Sequence, residues 1–238
     1  MITSTLDSAP DKRISLSAAQ MARRIAGRFP RGLAGRPHRH YAKWKILTDP
    51  LYGAVYESLK DTSLPVLDIG CGMGLLSFYL RERGMRVPIY GVDFDAAKII
   101  TAKRMASQYP PAPEFETGDM RKPWPDVQGS VCLLDILQYL TIEGRAELLG
   151  KAASHVLPGG QLVIRGSLKE PTWRWQVNHL MDRVAKMLTW MKADPVTYPT
   201  RDELEGVLAI HGLRLKEARP LWGRTPFNMH FLAFERPL

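Results

Sequence analysis

Residues 64–95 read LPVLDIGCGMGLLSFYLRERGMRVPIYGVDFD, and this stretch decides the fold. Pro65 leads into Val66, Leu67 and Ile69 around Asp68, a run without the polar alternation of a half-exposed sheet. Such a run suits a parallel strand covered on both faces. Gly70, Gly72 and Gly74 follow in alternation. Glycines at that spacing let the chain turn sharply and approach a ligand, while a helix starting near Leu75 aims its free amides back at the turn. A second apolar run, Val87 to Val92, ends at Asp93, 19 positions after Gly74. A carboxylate about 20 residues beyond such a turn can accept hydrogen bonds from ribose hydroxyls. Taken alone, the stretch also fits a tight turn in a domain that binds no nucleotide.

The flanking sequence repeats the pattern. Gly118 and Asp119 close a third strand, Glu114 to Thr117; a fourth, Val131 to Leu134, ends at Asp135. Val156-Leu157-Pro158-Gly159-Gly160 ends one helix and enters a fifth strand, Gln161 to Ile164. Polar and glycine residues thus stand at strand ends, the edge of an open α/β sheet where ligands bind. Helices are expected over Ala96–Gln108 and Thr141–Val156, and Thr200-Arg201-Asp202-Glu203 reads as a capping box opening a helix to His211. Two last strands are expected near Leu213–Ala218 and Met229–Glu235.

As a set, VLDIGCGMG, GVDFD, ETGDM, VCLLDILQYL and VLPGGQLVI resemble the class I S-adenosylmethionine-dependent methyltransferases over roughly residues 45 to 235. The resemblance implies an α/β fold: a doubly wound, mostly parallel seven-stranded Rossmann-like sheet whose final strand is antiparallel. It also implies an N-terminal helical cap, a helical lid insertion, and S-adenosylmethionine as cofactor. Gly70, Gly72 and Gly74, with Asp68, would pack against its methionine part. Asp93, followed by Phe94, would hold the ribose, Asp119 and Met120 would flank the adenine, and Asp135 would sit beside the methionine end. Tyr41 and Lys45 lie one helical turn apart, so Lys45 could meet the methionine carboxylate while Trp44 covers the site; alternatively the two aromatics are packing anchors. A dinucleotide-binding dehydrogenase would carry its third glycine where this chain has Leu75.

The chain has 238 residues, 45% hydrophobic and 24% charged, which fits one α/β domain with additions. No apolar run approaches the roughly 18 residues of a spanning helix, and the first residues lack the apolar core of a signal peptide. A cytoplasmic enzyme is expected. Cys71 and Cys132 fall at expected core positions and are read as reduced. The net charge of +9 is uneven: residues 1–45 hold ten basic against two acidic side chains, while the remainder holds 23 against 22. Residues 1–45 are accordingly read as a basic N-terminal segment or flap, with Phe29–His40 a linker rich in proline, glycine and arginine. Residues 46–238 are read as the methyltransferase domain. Tyr41, Trp44, Leu47, Leu51 and Val55 predict two helices broken at Asp49-Pro50.

Between Arg165 and Thr200 the chain is far longer than a compact connection of about 2 to 6 residues, and a lid is expected over about 167–199. Trp173, Val177, Leu180, Met181, Val184, Leu188 and Met191 recur there at helical spacing. For a hydroxyl acceptor a general base is needed, and Tyr139, His179 and His230 are the candidates. No carboxylate set marks a metal site.

The acceptor is expected to be a hydrophobic or aromatic small molecule of secondary metabolism, free or on an acidic acyl carrier protein that the basic segment would dock. HYAKWKILTDPLYGAVYESL resembles methyltransferases of aryl polyene pigment pathways. Two alternatives stay open: a peripheral protein on anionic membrane that retains the cofactor fold, and a lipid or quinone methyltransferase. Nucleic acid is disfavoured, because Asp135-Ile136-Leu137-Gln138 lacks the tetrapeptide of enzymes that methylate base amino groups.

Overall fold

The computed structural model describes residues 16–32, 35–170, 172–174, 176, 197–223 and 228–238. Three helices come first: α1 (Ala18–Arg28), α2 (Arg36–Thr48) and α3 (Leu51–Leu59). Then β1 (Val66–Ile69), α4 (Leu75–Glu82), β2 (Ile89–Asp93), α5 (Ala96–Ala106), β3 (Glu114–Thr117) and β4 (Ser130–Leu134) alternate. A short 3-10 turn (Leu137–Tyr139), α6 (Ile142–His155) and β5 (Gln161–Ser167) follow. The chain closes with α7 (Arg201–Ile210), β6 (Arg214–Pro220) and β7 (Met229–Glu235).

Among the described residues the strands form one sheet in the order β3-β2-β1-β4-β5-β7-β6. β1 pairs in parallel with β2 and with β4, Ile69 lying opposite both Val92 and Leu133, whereas β7 runs antiparallel to β5 and β6. The order reverses between β1 and β4, which opens a crevice at the carboxyl edge of those strands. The four residues of β1 are all buried. Their alternation splits them between two cores: Val66 faces the layer of α1 to α5, while Leu67 and Ile69 face α6 and α7. Cover on both faces is why the run is apolar throughout.

The cap is fastened by charge as well as by packing. Ser17 opens α1 with a reciprocal box: its hydroxyl accepts from the Gln20 amide at 3.2 Å, and its own amide donates to Gln20 Oε1 at 2.8 Å. Met21 and Ile25 fill the core, while Arg24 and Arg28 reach the buried Glu82 of α4, each at 2.9 Å. The expected linker is helical in its second half. Gly35 lies so close to the Pro30 carbonyl that a Cβ would overlap it, and Pro37 in the first turn presets the backbone from which α2 grows. The expected capping box of α7 is only half formed. Thr200 accepts from the Glu203 amide at 3.1 Å, but the Glu203 carboxylate turns instead to Arg145, a fully buried guanidinium, at 2.7 Å. A buried cation left unpaired costs more than an uncapped amide in water. Most of the expected lid lies outside the described residues.

Candidate active site

The glycine turn is built by hydrogen bonds across the β1–β2 pair. Gly70 and Cys71 donate their amides to the Val92 carbonyl at 2.7 and 3.1 Å. Gly72 donates to Asp93 Oδ2 at 2.8 Å, and the other Asp93 oxygen accepts from the Asp95 amide at 2.9 Å. Asp93 therefore pins the turn it faces and keeps further lone pairs for a ligand. Gly74 has φ +76°, and a Cβ there would come within 2.6 Å of the Phe115 ring. The helix start thus needs glycine twice over, for backbone and for packing. Gly72 is different: only the Lys98 side chain, at 4.0 Å, approaches its missing Cβ, so that side of the turn is open to a ligand.

Beneath the turn Asp68 is buried beside Asp93. Burial, then the neighbouring carboxylate, push its pKa up to about 7. Cys71 and Cys132 are both buried free thiols.

At the ends of β4 and β5 the structure gathers four charges. Asp135 adopts φ +60°, donates its amide to the Arg165 carbonyl at 2.8 Å, and ion-pairs with the Arg165 guanidinium through Oδ2. Arg165 also holds Asp49 at 2.9 Å, Asp49 holds Lys45 at 2.8 Å, and Lys45 stands 3.7 Å from Asp135. The tetrad ties the α2–α3 junction to the sheet. Burial works against the charge on Lys45, but Asp135 and Asp49 outweigh it and raise the pKa; for Asp49, Arg165 and Lys45 outweigh burial and lower it. Within the tetrad two buried atoms have no hydrogen-bond partner among the described residues, Asp135 Oδ1 and Arg165 Nε. Tyr52 lies beneath, its phenol pushed far up by burial and by Tyr41, Asp49 and Asp135.

Sequence-predicted residues are distributed around these two centres. Asp68, Gly70, Gly72, Gly74 and Asp93 form the turn, and Lys45 and Asp135 belong to the tetrad. Tyr41 and Phe94 are exposed. Asp119 is gripped by Arg121 through a forked pair, which lowers its pKa to about 2, and Met120 packs on the core. Trp124 also packs, donating Nε1 to the Met120 carbonyl at 2.9 Å. Tyr139 ends the 3-10 turn after β4. His230 opens β7 opposite Gly166 and stands 3.4 Å from Glu170; burial lowers its pKa, with Glu170 opposing. His179 lies outside the described residues.

Asp49, Arg165 and Glu170 were not singled out from sequence. Arg165 left a signal, being the lone charge in the buried strand QLVIRGS. A cleft of about 350 Å³ touches the tetrad at Asp49 but runs along the flank of α3, between Ile46, Tyr79 and Leu221, and is not the cradle at the turn.

Residues 66–160 match the family described as Methyltransferase domain. A demethylmenaquinone methyltransferase of Deinococcus radiodurans is 24% identical over 180 residues, 68% of this chain and 73% of that protein. Among solved structures, the magnesium protoporphyrin IX methyltransferase of Synechocystis PCC 6803 with bound SAH has a TM-score of 0.64 at 20% identity, covering 91% of this chain and 93% of that one. An O-methyltransferase from neocarzinostatin biosynthesis, in complex with S-adenosyl-L-homocysteine and 1,4-dihydroxy-2-naphthoic acid, has a TM-score of 0.59 at 17% identity, covering 86% and 58%. The domain match, the reversed sheet order and the glycine turn pinned by Asp93 agree: residues 66–160 carry a methyltransferase domain, set in the fold of S-adenosylmethionine-dependent methyltransferases.

Proposed function

We propose that the chain methylates a hydrophobic or aromatic small molecule, that the cofactor lies across the glycine turn, and that the acceptor enters over the tips of β4 and β5. The observation that carries this is the pairing of an open turn at Gly72 with orphaned polar atoms on Asp135 and Arg165 at one sheet edge. These residues fit the cofactor: Asp93 has spare acceptors for ribose, Gly72 leaves room beside it, and Lys45 and Asp68 supply a cation and a carboxyl group for an amino acid group. S-adenosylmethionine supplies, when bound, a methyl group made electrophilic by its sulfonium. The protein has to align a nucleophile with it and exclude water.

For a hydroxyl acceptor the base would be His230, which Glu170 would orient as it takes the proton. The lowered His230 pKa keeps the imidazole neutral and able to accept at neutral pH. Tyr139 would line the acceptor side, and Tyr41 and Phe94, with Asp119 and Met120, would flank the nucleoside. Two kinds of acceptor have support: aromatic groups, because one structural neighbour was solved with a dihydroxynaphthoic acid, and quinone-like lipids, because a sequence relative is named for demethylmenaquinone. The aromatic group could reach the site free or on an acidic carrier protein.

The test is transfer of labelled methyl to free aromatic acids, carrier-bound aromatic acyl groups and a demethylated quinone, with Asp93→Asn as control. Transfer to none of them, with S-adenosylhomocysteine still bound, would sink the acceptor class. His230→Gln should lower kcat at constant cofactor affinity; an unchanged kcat removes it as the base.

A further inference from the structure

Helix α2 has three sides. Ala42 and Ile46 are buried, and Lys45 turns to the tetrad. At 3.6 residues per turn the outward side carries Arg36, His40 and Lys43 along one edge, with Trp44 and Tyr41 along the other, between those cations and the site. Trp44 is 56% exposed and Tyr41 53%. Arg36, Arg39 and Lys43 make no ion pair with any described residue, unlike Arg24 and Arg28 of α1, which are spent on Glu82. Trp222, 50% exposed, extends the same rim: the next residue, Gly223, packs on the Thr48 carbonyl at the end of α2.

Cations alone would suit any anion. Cations bordered by exposed indole and phenol rings suit the headgroup layer of an anionic bilayer, where charge meets lipid phosphate and amphipathic rings sit between water and hydrocarbon. No helix among the described residues is long and apolar enough to cross a membrane. We propose that the outward face of α2 docks the enzyme on anionic lipid, with the aromatic rim beside the site against the surface. This deepens the reading above, since a hydrophobic acceptor could then pass from bilayer to site without crossing water.

The full chain is sedimented with phosphatidylcholine vesicles and with vesicles about one third phosphatidylglycerol, at low and high salt. Pelleting is expected with the anionic vesicles only, weakened by salt. R36Q/K43Q should lower the partition coefficient about thirtyfold, at about fivefold per charge, with S-adenosylhomocysteine affinity unchanged. Trp44→Phe should shrink the blue shift of tryptophan emission on vesicle addition. Equal pelleting of parent and R36Q/K43Q overturns the proposal. So does failure to bind anionic vesicles, and if an acidic acyl carrier protein then binds in an Arg36- and Lys43-dependent way, the face belongs to that partner. Vesicle binding by a chain that binds no S-adenosylhomocysteine would leave the docking intact and remove the cofactor reading.

Discussion

The two halves of the candidate site are made differently. The half at β1 and β2 is a backbone device, held by amides on a carbonyl and on Asp93, with glycines where Phe115 needs room. The half at β4 and β5 is a side-chain device, four charges converging from three separate elements. Backbone devices are local in sequence and tolerate few residue types. Side-chain devices are assembled across long separations, here 116 residues between Asp49 and Arg165, and leave a weak local trace.

That contrast can be broken most sharply at Arg165. Arg165→Met leaves Asp49 and Asp135 with Lys45 alone to balance two carboxylates, and a loss of about 3 to 5 kcal/mol in denaturant unfolding is expected. A loss under about 1 kcal/mol would mean the tetrad does not tie cap to sheet. Asp68→Asn probes the other half. Its raised folded-state pKa, about 7, means the native state holds a proton that the unfolded chain has released, so this group's contribution falls as pH rises from about 4 to 7 and is then constant. The stability of Asp68→Asn relative to the parent should therefore rise by a few kcal/mol over that window, and a flat difference would refute the shift.

Gly91→Ala sharpens the backbone half. A Cβ there would lie 2.6 Å from Phe115 and 2.8 Å from Cys71 Sγ, and about 1 to 3 kcal/mol of destabilisation is expected from overpacking. Lys43→Gln, on the outward face of α2, should change stability by less than about 0.5 kcal/mol. A larger change would mean that Lys43 contributes to the fold as well as to the surface.

Legibility followed the same division. Strands β1, β2 and β4 could be read because burial on both faces forces apolar runs, and the loop between β1 and α4 because a tight turn forces glycine. β5 extends three residues beyond the expected Ile164, since Arg165 looked like the end of an apolar run although its charge is neutralised inside. The start of α2 was hidden by a proline and two glycines that usually break helices, where Pro37 instead sits in the first turn. Asp49 was read only as punctuation before Pro50. Nothing in a single sequence says that a helix break also delivers a carboxylate to a strand 116 residues away.

The tetrad carries two positive and two negative groups, so the mouth of the site cancels its own charge. Asp49 and Asp135 already occupy Arg165 in the manner of a bound carboxylate. An acidic acceptor would have to evict one of these resident competitors to gain the guanidinium, whereas an ester, thioester or quinone would not. The enzyme would thus sort acceptors by the absence of charge, with its own aspartates acting as the inhibitor that a free acid must outbid.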